Sequence, residues 1–304
     1  VTRSSLTKLP AALLAALALS LLPAPLFAQD AEEDAEKDVA EEAEVDGEDE
    51  DDDEDEGPWS DALSADHPGF ADSSSTMNER AFQGEFGLDF ANSSAAFATS
   101  FSALFRYGIN DRAEARLELP GLSRAFARGD NDGETSLDTI EAGVKLRVPV
   151  NDNFQFAFLP HLVFASGASN SPYSGFGPGM GFIADLSLPA NIGINAMVVP
   201  RFVGFKSDTP RLGSLPTDTD GSRDYRFEVD AALGLNLQAK DNLGFFLEGW
   251  ITRDGLRNVT PAANGGVVFH ITPDVLLDAY VGVTFPEDEG ANPYGGLGFV
   301  YRYQ

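Results

Sequence analysis

From Ala81 onward, apolar and polar residues alternate with a period of two. Phe82, Gly84, Phe86, Leu88 and Phe90 share one face, and Gln83, Glu85, Gly87 and Asp89 share the other. The same alternation recurs in Phe97–Ile109, Ala113–Leu119, Ile140–Val148, Phe154–Phe164, Phe176–Leu188 and Ile192–Phe202. Tyr225–Leu237, Leu243–Ile251, Pro261–Ile271, Val275–Phe285 and Tyr294–Tyr303 complete a series of twelve predicted strands. Each is near the length that a tilted strand needs to cross hydrocarbon. Pro160 and Pro200 fall inside two of them. Each removes a ladder donor, which predicts a bulge or bend at both places.

The connections alternate as well. Short turns stand at Asn110-Asp111, Asn151-Asp152, Pro189-Ala190-Asn191, Lys240-Asp241-Asn242 and Thr272-Pro273-Asp274. Between them lie longer polar stretches: Gly121–Leu137, Ser166–Gly175, Lys206–Ser222, Asp254–Thr260 and Pro286–Pro293. An even strand count with alternating short and long connections predicts an all-β, up-and-down antiparallel barrel of the outer membrane. A soluble sandwich would share the alternation, but its edge strands are commonly guarded by lysine. From residue 81 on there are only Lys145, Lys206 and Lys240, and every strand carries an apolar face. The final strand presents Phe299, Tyr301 and Tyr303 together, as an interfacial aromatic girdle does.

The first eighty residues change the picture only at the edges. Arg3 and Lys8 precede an apolar run from Ala11 to Leu22, then Pro23, Pro25 and Leu26-Phe27-Ala28. That order predicts a signal peptide over 1–28 that exports the chain from the cytoplasm. Its apolar core is too short to span a bilayer as a helix. Residues 29–66 hold 21 acidic side chains and one lysine, so this stretch supplies −20 of the formal −29 charge. Such a run repels itself and buries too little to offset ordering, which predicts an acidic disordered segment. Its carboxylates, and those of Asp130-Asn131-Asp132-Gly133-Glu134 and Asp218-Thr219-Asp220-Gly221, would collect divalent cations only weakly. Residues 67–80 read as a linker, and 81–304 as the barrel. The acidic balance excludes a nucleic-acid partner.

Several clusters in the C-terminal third carry a resemblance. They include Phe246-Leu247-Glu248-Gly249-Trp250, Asn264-Gly265-Gly266-Val267, Ile271-Thr272-Pro273-Asp274 and Gly296-Leu297-Gly298-Phe299-Val300-Tyr301-Arg302-Tyr303. Together with Gly175-Phe176-Gly177-Pro178-Gly179 and His67-Pro68-Gly69-Phe70, the chain resembles the outer-membrane transporter family named after the meta-pathway of phenol degradation. That resemblance spans residues 67–304. It implies a barrel of the Gram-negative outer membrane that passes small, apolar or aromatic solutes, with the lipid bilayer as its surroundings and no catalytic residues or cofactor.

If the apolar face meets lipid, the polar face lines a lumen. The candidate lining residues are Glu85, Asp89, Arg106, Glu114, Arg116, Glu118, Glu141, Lys145, Arg147 and His161. Later strands add Asp185, Arg201, Arg226, Glu228, Asp230, Glu248, Asp278 and Arg302. Charges at membrane depth are costly unless paired or hydrated, so they mark either a wet path or a paired network. The first makes a channel and the second a non-conducting barrel with a plugged lumen. An enzyme is disfavoured: the chain has three histidines (His67, His161 and His270), none with a nucleophile at a suitable spacing. No pair of them is spaced as zinc ligands would be. Gly175-x-Gly177-x-Gly179-x-Gly181 has the period of a strand face rather than of a nucleotide loop.

Overall fold

In the computed structural model the described residues are 63–66, 70–94, 96–128, 133–167, 171, 173–206, 224–254, 258–286 and 290–304. The signal-peptide reading, nearly all of the acidic segment and both acidic loop motifs apart from Gly133 and Glu134 lie outside them. The strands are β1 (Phe82–Asn92), β2 (Ala96–Asn110), β3 (Ala113–Ala127), β4 (Glu134–Leu137), β5 (Thr139–Pro149), β6 (Phe154–Ala165) and β7 (Phe176–Leu188). They continue with β8 (Ile192–Phe205), β9 (Asp224–Lys240), β10 (Leu243–Asp254), β11 (Asn258–Thr272), β12 (Val275–Thr284) and β13 (Asn292–Tyr303). Each pairs antiparallel with its chain neighbour, except that β4 pairs with β3 alone and β3 reaches past it to β5. β1 pairs with β13, from Phe82 opposite Tyr303 to Ala91 opposite Tyr294, and this closes the sheet. The result is a twelve-stranded transmembrane barrel with β4 as a short flap on the outer half of β3. Among the described residues no helix is long and apolar enough to cross a membrane.

Alternation sorts the side chains. On β9, Phe227, Leu233, Leu235 and Leu237 are exposed, whereas Glu228, Asp230 and Ala232 are buried. A soluble protein inverts that order, because exposed leucine and buried carboxylate both cost free energy in water. A bilayer satisfies the outer face, and a closed ladder leaves no backbone donor or acceptor facing lipid. Phe82, Tyr107, Tyr301 and Tyr303 gather outward at the end that carries the short turns, where ring bodies meet lipid and hydroxyls meet headgroups.

Three local expectations are corrected. Neither Pro160 nor Pro200 causes a bulge. The β5–β6 ladder runs from Gly143 opposite His161 to Leu146 opposite Phe158 in one register, without pairs at Pro160 and Leu159. The β7–β8 ladder likewise lacks pairs at Pro200 and Val199 between Gly179–Arg201 and Phe182–Val198. The ladder on each strand's other side passes through both prolines unbroken and holds the register. Second, Gly121–Leu137 is mostly not a loop, since β3 continues to Ala127 and β4 pairs back onto it. A register shift opposite Phe101 and Ala103, where Pro120-Gly121 stands, moves the outward phase from Leu117 and Leu119 to Leu122. That phase change hides the strand from a period-two reading. Third, β10 and β11 extend so far that residues 255–257 alone separate them.

Candidate functional site

The stretch read as a linker threads the barrel instead. Leu63 donates its N–H to Pro273 O in the β11–β12 turn (2.9 Å), and His270 lies 3.1 Å from Leu63 O. At the far end Arg80 N–H reaches Gly108 O at 2.8 Å, and Gly108 N–H returns to Ala81 O at 2.9 Å. Both ends sit where the short turns are, and the described residues between, 64–66 and 70–79, form a strap folded up into the lumen. Gly108 is required there: a Cβ on it would lie 1.8 Å from Asn78 O.

The barrel wall explains why the strap is held. β2 and β3 place Arg106 directly opposite Arg116, and β3 and β5 place Glu114 opposite Lys145. Like charges facing each other across a ladder repel, so the wall needs a further anion. Glu85 lies 3.1 Å from Arg106, and Glu114 takes the Arg106 fork at 3.0 and 2.9 Å. Asp66 of the strap supplies the shared carboxylate. It sits 2.8 Å from Lys145 Nζ and 3.6 Å from Arg106, and accepts a hydrogen bond from Arg116. Arg106, Lys145, Glu85 and Glu114 are essentially inaccessible, and a buried ion left without its partner costs several kcal/mol. Burial alone pushes the Asp66 carboxyl up; the charges of Arg106, Lys145 and Arg116 outweigh it and hold it well below the usual carboxylate range.

Backbone amides of the strap complete the attachment. Asp66 N–H donates to Glu85 (3.0 Å) and Met77 N–H to Glu114 (2.8 Å). Asp185 accepts from Ser74 N–H (2.6 Å), Ser74 Oγ (2.8 Å) and Ser73 Oγ (3.1 Å). Glu248 takes Phe70 N–H on one oxygen at 2.6 Å and Ala71 N–H on the other at 2.5 Å. Ala71 packs on a small apolar patch of the inner wall made by Ala157, Leu159, Ile183, Met197, Val199 and Ala232. The Phe70 ring stacks on Trp250, with centroids 4.4 Å apart and planes 7° from parallel.

Farther from the short turns a second group surrounds Arg201. Asp230, Glu228 and Glu141 lie at 3.0, 3.1 and 3.5 Å from its guanidinium, and His161 Nε2 lies 3.7 Å from Glu141. Gly179 gives the imidazole its place, since a Cβ there would stand 2.1 Å from Nε2. Arg226 covers the Phe205 ring at 3.9 Å. Asp89 accepts from Tyr280 OH at 2.5 Å, and Trp250 Nε1–H donates to Tyr294 OH at 3.2 Å. Arg302 reaches Asp274 in the β11–β12 turn at 2.8 Å. Asp278 is buried, Arg147 is half-buried, and Glu118 lies exposed on the same face as Glu114 and Arg116.

Of the residues singled out from sequence, Glu85, Arg106, Glu114, Arg116, Lys145, Asp185 and Glu248 thus meet at the strap. Glu141, His161, Arg201, Glu228 and Asp230 meet in the second group. The strap's own contributors, Asp66, Phe70, Ser73 and Ser74, are not among the candidate lining residues, and neither are Trp250, Tyr280, Tyr294 and Asn264; Phe70, Trp250 and Asn264 enter the sequence reading only within the motifs of the resemblance. One local signal was present: Asp66 stands among Leu63, Ala65 and Phe70, beyond the dense acidic run. Beside the strap a cavity of about 930 Å³ extends from Asp185 and Glu248 to the turn residues Asn191 and Asp241. Among the described residues no group of three or more His, Asp or Glu side chains is arranged to hold a metal ion.

The family described as "Putative MetA-pathway of phenol degradation" matches residues 65–303. The chain belongs to that family. The match begins at Ala65, so it takes in the strap together with the barrel. An outer membrane channel from Pseudomonas putida F1 superposes with a TM-score of 0.58 at 12% identity, over 76% of this chain and 98% of that one. That likeness is one of fold. The NanC porin gives 0.47 at 10% identity over 72% and 98% of the two chains. The CymD monoaromatic hydrocarbon channel gives 0.41 at 11% over 75% and 89%. No curated protein matches the chain.

Proposed function

We propose that this protein is a passive channel of the Gram-negative outer membrane for small solutes, apolar or aromatic ones included, exported by its N-terminal signal peptide and closed at rest by the strap. The observation that carries the reading is how the lumen is filled. A permanent plug would interdigitate apolar side chains, whereas this strap is attached largely through amides and carboxylates beside about 930 Å³ of open cavity. Such contacts can be exchanged for water one at a time, at about 1.5–3 kcal/mol for each bond to a carboxylate, and the Asp66 ion cluster is the costliest of them to release. The charged inner face and the acidic surroundings of Arg201 support a water-filled route that favours cations over anions. The second reading, a non-conducting barrel, draws its support from the fully buried Arg106, Lys145 and Glu114 network.

Planar-bilayer recording separates the two. A channel gives discrete, low-conductance events in the intact chain and larger steady ones when residues 63–80 are deleted. A non-conducting barrel stays silent intact, and unfolds without its strap because three cations lose their shared anion.

A further inference from the structure

We propose that Glu248 and Trp250 form a mid-lumen subsite for a planar aromatic cation bearing a forked pair of N–H donors, and that Phe70 and Ala71 of the strap occupy this subsite at rest. The inference deepens the channel reading and names a solute class for it.

Glu248 and Trp250 stand two residues apart on β10, so both side chains project from the same face. Their cross-strand partners are small or narrow: Ala232 and Ala262 flank Trp250, and Gly234 and Asn264 flank Glu248. The indole face is therefore free to take a ring, and it takes that of Phe70 in nearly parallel contact. The two Glu248 oxygens each take one N–H from consecutive residues of the strap. The strap thus displays a pattern of its own: a phenyl ring beside two donors aimed at one carboxylate. An arylamidinium carries that pattern in a single rigid molecule, with a full positive charge in addition.

The charge matters because Glu248 is only 4% exposed and, among the described residues, forms no ion pair. Its third contact is the Asn264 amide at 3.1 Å. Neutral amides and a neutral carboxamide serve this carboxylate now; a cation would serve it better in a site of low polarity. The cavity reaches Glu248 and Ala71 from the short-turn end, which supplies a route to the subsite. Phe70 competes as a tethered ligand, present at the millimolar-range effective concentration typical of a short linker.

The test uses the full chain, folded in detergent, with Trp59 changed to Phe so that Trp250 is its sole tryptophan. Benzamidine is titrated while Trp250 fluorescence is followed. Benzyl alcohol serves as a ring without the charge, and methylguanidinium as a fork without the ring. Saturable quenching by benzamidine is expected, stronger than by either control. Phe70→Ala should tighten it by about tenfold, because the ring that competes for the Trp250 face is removed while only the two backbone N–H donors remain to compete for Glu248. Glu248→Gln, checked for heat-modifiable migration, should abolish saturation. Absence of saturation in Phe70→Ala, equal affinity for benzyl alcohol, or unchanged binding in Glu248→Gln would each overturn the proposal. The Phe70 variant leaves the barrel wall untouched, so its result stands even if the Glu248 variant fails to fold. Fluorescence requires no conduction, so this outcome is separate from the bilayer test of the channel.

Discussion

Asp66 of the strap lies 2.8 Å from Lys145 Nζ on β5, 79 residues farther along the chain. The same carboxylate oxygen also faces Arg106 and Arg116, so one strap residue balances three wall cations. Replacing it with Asn leaves those cations buried and short of an anion. Asp66→Asn is expected to weaken strap seating by about 3–5 kcal/mol. The chain has no cysteine, so Ser74→Cys, at a fully buried strap position, offers a clean labelling probe. Thiol labelling at residue 74 should accelerate by two orders of magnitude or more in the Asp66→Asn background. Unchanged labelling would show that the wall cations do not hold the strap.

Strap seating should also depend on pH in one direction. The folded Asp66 carboxyl is held below its ordinary range, so its contribution is fully present above the unfolded pKa of about 4. It declines as pH falls below that value toward the depressed folded pKa. Labelling of the Ser74→Cys chain, corrected for thiolate content, is therefore expected to stay flat from pH 8 to 5 and to rise only in stronger acid. A rise centred near pH 6 would assign control to a group other than Asp66.

Gly108 gives an independent route to the strap. A methyl group at this position would stand 1.8 Å from Asn78 O, and backbone cannot yield as a flexible side chain does. Gly108→Ala is expected to displace the strap's return to β1 and raise both labelling and conductance. The β1–β2 and β2–β3 ladders should persist, so heat-modifiable migration should be kept. A silent Gly108→Ala chain with normal labelling would contradict the close approach.

Arg201 lies among Glu141, Glu228 and Asp230. Changing it to Gln leaves three carboxylates along the proposed route. In a water-filled lumen, Arg201→Gln should raise the preference for cations measured from reversal potentials in a salt gradient. In a closed lumen the same change should lower thermal stability and leave no current to analyse.

The outer face has its own test. Leu233 stands near the middle of β9 and is exposed, with Ala196 and Gly249 as its cross-strand partners. Leu233→Arg should destabilise the barrel by about 2–4 kcal/mol in lipid-bilayer unfolding, the cost of a charge near the midplane. A harmless Leu233→Arg would place this face in water.

The strands were legible because a barrel wall has a simple local rule. One side of each residue pair meets lipid and the other does not, and the period of two writes that difference directly into Tyr225–Leu237 and its companions. The rule failed where a backbone shift broke the phase, at Pro120-Gly121, and at Pro160 and Pro200 no bulge forms, although ladder pairs are missing beside both. A proline costs one donor, and the neighbouring ladder, invisible in the sequence, holds the register.

The inner face was legible as a set of residues and illegible as a site. Arg106, Arg116 and Lys145 could be assigned to one face from alternation alone, but nothing in their spacing says which anion they share. That anion comes from Asp66, in a stretch whose Ser, Gly and acidic composition matches that of a solvated linker. Composition reports what a segment can bury by itself, and this segment buries little. Its order is supplied by the wall, through Glu85, Glu114, Asp185 and Glu248, whose oxygens accept amide donors that would otherwise bond to water. The sequence by itself therefore determined the barrel, its strand number and its inner and outer faces, because these follow from local periodicity and solvent. Only the tertiary structure decided that residues 63–66 and 70–80 form a strap held inside, because that depends on charges from β1, β2, β3, β5, β7 and β10 converging once the sheet closes.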